Sequence, residues 1–329
     1  MEARENLLVV DRLKTQFFTY GGVVEALDEV SFEIRRGEIF GLVGESGCGK
    51  SVTTASILGL VAKPGRVISG RILLDGEDLL TKSAKEMNAI RGSRISIIFQ
   101  DPTSSLNPLF RVQIQVAEPY IYHQAMPKKR ALREATRILG TTGLPDPEQK
   151  SRSYPHELSG GMRQRAMIAM ALTCQPDLLI ADEPTTNLDV TIARQIRDLV
   201  RDLQREFGTS VLWITHNMAV VAQLCDRVGV MYAGSIVEKS DVRTLFRDPR
   251  HPYTVRLLHA IPSAATSGAE LEEIPGSVPQ LIHPPTGCRF HPRCDRALDV
   301  CSVQKPQEVE VRPGHFVACH LFRTREEDA

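Results

Sequence analysis

Short apolar runs alternate with longer stretches of helical spacing over the first 240 residues. Residues 38–43 form such a run, ending at Gly44, and read as a buried strand; residues 52–60 after it read as a helix. Residues 95–99, 178–181 and 211–214 are further runs of the length expected for strands buried on both faces. Between the last two, residues 191–207 place Ile192, Ile196, Leu199, Val200 and Leu203 on one helical face. Residues 227–232 and 235–239 flank Ala233-Gly234 and predict a hairpin. The alternation predicts an α/β fold around a mainly parallel sheet. Near residue 240 the long periodic segments stop. Prolines then crowd in (Pro249, Pro252, Pro262, Pro275, Pro279, Pro284, Pro285 and Pro292), which places a boundary there and a compact, loop-rich module after it.

Composition narrows the class without naming a function. The 329 residues suffice for one large domain and a smaller one. Forty basic and forty acidic side chains cancel, so no global field favours nucleic acid, and none is expected as a partner. Lys128, Lys129, Arg130, Arg133 and Arg137 cluster on one expected helix and read as its solvated face. The opening residues are charged and lack an apolar leader, and no run reaches the roughly 18 apolar residues of a membrane span. A cytosolic chain is expected, so any transport role needs separate membrane subunits. Of seven cysteines, Cys288, Cys294, Cys301 and Cys319 fall in the last 42 residues, with five, six and seventeen residues between them. In a cytosolic chain such crowding points to metal before disulfide. Zinc sites favour close Cys pairs, which these spacings lack, whereas an iron–sulfur cluster is wider and tolerates longer loops. The cluster is the expectation; zinc and unliganded thiols are the alternatives.

Three local patterns carry chemistry. The first is Gly44-Glu45-Ser46-Gly47-Cys48-Gly49-Lys50-Ser51, followed by Val52, between an expected strand and helix. Its glycines let backbone N–H groups converge on phosphate oxygens, and the helix N-terminus adds positive potential. Lys50 would reach the β- and γ-phosphates, Ser51 would ligate Mg²⁺, and Cys48 would fill a small-residue position. The second, Leu158-Ser159-Gly160-Gly161, lies about 110 residues on and opens another anion-binding helix end. Two chains packed head-to-tail would use both ends, each P-loop facing the other chain's Ser159-Gly160-Gly161. In the third, residues 178–181 deliver Asp182, placed to hold Mg²⁺, and Glu183, placed to polarise an attacking water. Gln100 ends another strand run, where it could sense the γ-phosphate and the metal, and His216 follows residues 211–215, where it could contact the γ-phosphate.

The order P-loop, Gln100, Ser-Gly-Gly, Asp182-Glu183 and His216 resembles the nucleotide-binding domain of ABC transporters over residues 6–240. Gly44-Glu45-Ser46-Gly47, Phe99-Gln100-Asp101-Pro102, Ser105-Leu106-Asn107-Pro108, residues 158–165 and His251-Pro252-Tyr253-Thr254 are similar to the ATPase subunits of oligopeptide and dipeptide importers. The resemblance implies a P-loop NTPase fold: a RecA-like core with a helical subdomain at about 101–175, making an ATPase domain over 1–240. An oligopeptide-transporter-type extension over 241–329 would carry the cysteines. It implies ATP and Mg²⁺, with Phe17 matching the aromatic residue that stacks on adenine and Phe18 and Tyr20 close to the same register. Asn187, before Leu188-Asp189, stands where the family usually has Ala, and Asn217 where it usually has Asp. Residues 100–119 resemble the groove that receives the membrane subunit's coupling helix.

Residues 284–294 and 317–320 resemble the cysteine-bearing tail of dipeptide-importer ATPases. That likeness implies a 4Fe–4S cluster on Cys288, Cys294, Cys301 and Cys319. Family membership further implies a second, related ATPase subunit in a heterodimer, with a homodimer as the alternative. Two membrane permease subunits and an extracytoplasmic solute-binding protein would complete the assembly at the cytoplasmic face of the membrane. Import of peptides is the expected function, and nickel or oligosaccharide import the alternative. Non-transport ABC ATPases fit poorly: 110 residues leave no room for a coiled coil, and one chain carries one cassette. A P-loop GTPase or kinase would leave Ser-Gly-Gly unexplained, and no Asn-Lys-x-Asp motif occurs.

Overall fold

The computed structural model describes residues 5–101, 105–186, 188–260 and 274–322. In chain order, β1 (Asn6–Thr19), β2 (Gly22–Arg35) and β3 (Ile39–Val43) lead into α1 (Lys50–Ile57). β4 (Gly65–Leu74), β5 (Glu77–Asp78), α2 (Ala84–Ile90) and β6 (Ile95–Ile98) follow. Next come α3 (Val112–Gln124), α4 (Lys128–Thr141), α5 (Pro147–Lys150), α6 (Gly160–Leu172) and β7 (Leu178–Asp182). α7 (Val190–Phe207), β8 (Ser210–Thr215), α8 (Met218–Leu224), β9 (Arg227–Tyr232) and β10 (Ser235–Asp241) come after them. α9 (Val242–Arg247), α10 (Pro252–His259), β11 (Glu308–Arg312) and β12 (His315–Ala318) close the described chain. Two compact units result. One comprises Met1–Leu7, Ile34–Glu38 and Thr81–Trp213; the other comprises Leu8–Glu33, Ile39–Leu80 and Ile214–Ala329.

In the first unit, β6 and β7 run parallel in the register Ile95↔Leu178 to Ile98↔Ala181, so their C-terminal ends lie side by side. α3, α4 and α6 enclose a separate apolar cluster that includes Val116, Tyr120, Ala135, Leu139 and Ala166. The basic residues of α4 are exposed, as a solvated face should be. α7 buries Ile196, Val200 and Leu203 from the stripe expected for it. Its start is fixed by Asp189, whose side chain accepts the Ile192 N–H at 2.9 Å.

In the second unit, β2-β1-β4-β5 form an antiparallel sheet. β3 is buried throughout and pairs in parallel with β9, which turns into β10. The hairpin turns where expected, with Ala233 and Gly234 both at positive φ (46° and 87°). The helix after the P-loop begins at Lys50, two residues earlier than its apolar pattern suggests, because Gly49 (φ 110°) starts it in a left-handed conformation. The tail is more regular than a loop-rich module. β12 pairs with β10 (Glu238↔Val317, Lys239↔Phe316) and β11 with β12, so residues past 300 lengthen the sheet. Among the described residues no helix is long and apolar enough to cross a membrane.

Candidate active site

The parallel register of β6 and β7 brings two site residues together in the first unit. Gln100 and Glu183 follow those strands, and the Gln100 Nε2 donates to Glu183 Oε2 at 3.5 Å. Thr186 Oγ1 donates to the same carboxylate oxygen at 2.9 Å. Asp182 is the last residue of β7, one position before. Glu183 has φ 47°, a left-handed backbone that a non-glycine residue adopts at a cost on the order of 1 kcal/mol. The oxygens offered here are hard ligands suited to Mg²⁺.

The Ser-Gly-Gly segment lies elsewhere in the same unit. Ser159 caps α6 by accepting the Met162 N–H at 3.3 Å, and it is exposed. A Cβ at Gly161 would lie 3.1 Å from the Ile192 side chain, which would have to give by a few tenths of an ångström. Gln164, on the next turn, is buried and donates to the Pro184 carbonyl at 2.8 Å, which ties α6 to the segment after Glu183. Asn187 and Pro102 lie outside the described residues.

The P-loop belongs to the second unit. Lys50 is buried, and its Nζ donates to the Gly44 and Glu45 carbonyls at 2.7 and 3.0 Å, so the lysine is drawn over its own loop. A Cβ on Gly44 would come within 2.1 Å of the Met231 carbonyl oxygen, which excludes any other residue. Cys48 is fully buried, and burial pushes its thiol above the usual range, which favours the neutral, packed form. Its carbonyl accepts the Gly234 N–H at 2.8 Å, so the β9–β10 turn holds the loop from behind. Ser51 and Ser46 are on the open side.

Phe17 is half-buried against Gly65, while Phe18 and Tyr20 are exposed near the β1–β2 turn. His216 follows β8 and is exposed; Asn217 caps α8, accepting the Ala219 N–H at 2.9 Å, a role in which Asn and Asp are equivalent.

The sequence marked residues 251–254 as a motif but not as a brace of the loop, and it did not mark Tyr232, Phe290 or Arg293 as such. Tyr253 is buried and its hydroxyl accepts the Glu45 N–H at 3.1 Å. Tyr253, Tyr232 and Phe290 pack their rings with centroids 4.7 to 5.4 Å apart. His251 Nδ1 accepts the Tyr253 N–H at 3.1 Å and so caps α10. The His251-Pro252-Tyr253-Thr254 motif thus anchors the P-loop. The Arg293 Nη1 meets both Glu45 carboxylate oxygens, at 3.1 and 3.2 Å. Neither the aromatic box nor the ion pair has a periodic signal in the chain.

The four tail cysteines lie close enough for their charges to interact. Burial foremost, with the other thiols contributing, pushes Cys288 and Cys319 up to about 11; Cys294 rises through burial, then Asp295 and Cys301. Backbone N–H groups face the sulfurs: Phe290 and His291 at Cys288, Arg296 at Cys294, Leu321 at Cys319 and Leu298 at Cys301. Among the described residues, however, no group of three or more His, Cys, Asp or Glu side chains is placed to hold a metal ion. Neither the expected iron–sulfur cluster nor the zinc alternative therefore has a ready-made site among the described residues.

Comparison with known proteins places these features in a family. A family model described as "ABC transporter" matches residues 27–186, and one described as "Oligopeptide/dipeptide transporter, C-terminal region" matches residues 237–301. The chain is 48% identical to the dipeptide transport ATP-binding protein DppD of Bacillus subtilis, over 99% of this chain and 97% of that one. It is 47% identical to the oligopeptide transport ATP-binding protein OppD of Salmonella typhimurium, over 95% and 93%. Among solved structures, the ATP-binding cassette MJ0796, a dimer in a post-hydrolysis state bound to ADP and Pi, matches with a TM-score of 0.65 at 26% identity. That match covers 72% of this chain and 99% of that one.

Proposed function

The chain belongs to the ATP-binding subunits of oligopeptide and dipeptide ABC transporters, and from that premise we propose that it hydrolyses ATP to energise import of small peptides. Relatives named for dipeptide and oligopeptide transport favour peptide over nickel or oligosaccharide. Residues 44–52 hold the phosphates, with Lys50 neutralising charge on the transferred group. Phe17 stacks on adenine. Ser51, Gln100 and Asp182 would hold Mg²⁺, which would supply charge neutralisation for phosphoryl transfer. Glu183 accepts the proton of the attacking water, and His216 contacts the γ-phosphate. Ser159, Gly160 and Gly161 serve the nucleotide bound by a second cassette. The observation that carries this reading is the meeting of Gln100 with a strained Glu183 at adjacent ends of parallel strands. Turnover of ATP by the assembled transporter, lost in Glu183→Gln while nucleotide binding persists, tests it.

The working form is a dimer of cassettes, here a heterodimer with a related ATPase subunit, docked on two permease subunits at the cytoplasmic face and fed by a solute-binding protein. The surface around Glu118, Tyr122, His123 and Met170 is a concave, partly apolar patch on the helical layer and suits an amphipathic coupling helix. The cassette occupies 1–240, its helical subdomain about 101–175, and the extension 241–329; the separate apolar cluster of α3, α4 and α6 supports that helical subdomain.

Cys288, Cys294, Cys301 and Cys319 hold a 4Fe–4S cluster. Four buried or half-buried thiols in mutual electrostatic range, each faced by backbone N–H groups that would stabilise thiolate charge, support this reading. Bound there, the cluster would add a clip to a tail that already packs Phe290 into the core.

A further inference from the structure

The P-loop carries an acid at its second position. Every other charge-bearing feature of the loop favours a polyphosphate: converging N–H groups, a helix start and Lys50. The Glu45 carboxylate works against them, because like charge at close range weakens anion binding.

Arg293 answers that charge. Its side chain is 7% exposed, and Nη1 contacts both Glu45 oxygens. Its other nitrogens are committed to the tail: Nε donates to the Pro275 carbonyl at 2.8 Å, and Nη2 to the Ile274 and Gly276 carbonyls at 3.1 and 3.3 Å. The Tyr232 hydroxyl lies 3.4 Å from Nη1, and the guanidinium sits over the Tyr232 ring at 5.8 Å. Three backbone carbonyls and a ring therefore fix the cation before it meets Glu45. The backbone N–H of Glu45 is held separately by Tyr253.

A second arginine, four residues earlier, acts on the loop through a different contact. Arg289 donates to the Ala233 carbonyl at 2.6 Å and pairs with Glu25. The turn it holds donates the Gly234 N–H to the Cys48 carbonyl. The extension thus grips both ends of the loop, one by charge and one through the turn.

We propose that Arg293 is a positioning residue for nucleotide binding: it neutralises Glu45 and fixes the P-loop from the C-terminal extension, so that removing it weakens ATP binding through the exposed carboxylate. The proposal rests on the ATP-binding reading of the P-loop. An Arg-specific fork is needed, since one nitrogen serves Glu45 while the others hold the tail.

The test uses the full-length chain in its assembled transporter, with MgATP as the probe and both equilibrium binding and steady-state turnover measured. Arg293→Ala should raise Kd and KM for MgATP about tenfold, with kcat changed less than about threefold. Arg293→Lys should fall between. The double variant Arg293→Ala, Glu45→Gln should return Kd to within about threefold of the unsubstituted chain, because the repelling charge is gone. Unchanged affinity in Arg293→Ala overturns the proposal, and so does an equal loss in the double variant, which would mean a packing role alone. If Arg293→Ala fails to assemble, Arg293→Lys and its Glu45→Gln double decide by the same rescue. If the unsubstituted chain does not bind MgATP, the ATP-binding reading falls and takes this inference with it; normal binding there with no effect at Arg293 overturns the inference alone.

Discussion

Gln100 Nε2 lies 3.5 Å from Glu183 Oε2 although 83 residues separate them, because β6 and β7 run in parallel and end together. The contact holds the carboxylate at the strand ends, and Thr186 holds it from the chain that follows. Replacing the acid by its amide keeps the shape and these contacts but removes the proton acceptor. Glu183→Gln should lower steady-state ATP hydrolysis by about 100-fold or more while MgATP still binds, and a closed, nucleotide-loaded dimer should accumulate. Phosphate release and retained radiolabelled nucleotide on the purified transporter measure both. Near-normal turnover would remove Glu183 from the role of base.

Ser159 gives a contrasting signature. Its hydroxyl caps α6, so Ser159→Ala should cost about 1 kcal/mol of stability by thermal melting. If Ser159 also serves nucleotide held by the other cassette, turnover by the assembled transporter should fall further than ATP affinity of the isolated chain. Equal and small effects on both would leave it a helix cap only.

His251 supplies a pH dependence. It is fully buried beside Glu238, which also accepts from the His315 ring at 2.7 Å, and burial lowers its pKa to about 4. The unfolded chain, with an ordinary histidine near 6.5, binds the proton more readily than the folded one. The neutral ring's contribution is therefore complete above about pH 6.5 and is lost as pH falls toward 4, amounting to about 3 kcal/mol over that window. His251→Asn keeps an acceptor for the Tyr253 N–H and does not titrate. Denaturant melts at pH 7.5 and 5 should show a smaller acid loss in the variant; parallel curves would assign the acid sensitivity to other groups.

The tail thiols make a compositional prediction. Anaerobic purification should yield about four irons per chain and a broad visible absorbance bleached by reductant, and Cys301→Ser should lose the iron and loosen the tail. ATP binding by the cassette should persist. One zinc with no iron, or no metal at all, would refute the cluster.

Much of the site is legible in the chain because its chemistry is local. A phosphate cradle needs consecutive N–H groups, so Gly44 to Ser51 must be contiguous, and a strand that ends in Asp182-Glu183 announces itself by burial followed by charge. The helical stripe of α7 and the Ala233-Gly234 turn follow from periods of a few residues, for the same reason. The cysteine spacings count the thiols, but only folding decides that all four share one neighbourhood.

What the tertiary structure alone decided is which distant groups meet. Glu45 and Arg293 are 248 positions apart, and nothing in either neighbourhood points to the other. Tyr253 reaches the Glu45 N–H across 208 positions. The tail strands β11 and β12 are too short and mixed to stand out by periodicity; β12 satisfies backbone groups on the edge of β10, and β11 in turn pairs with β12. Local propensity is written in neighbouring residues, whereas these pairings depend on sheet register, and register is settled only when the whole core is buried.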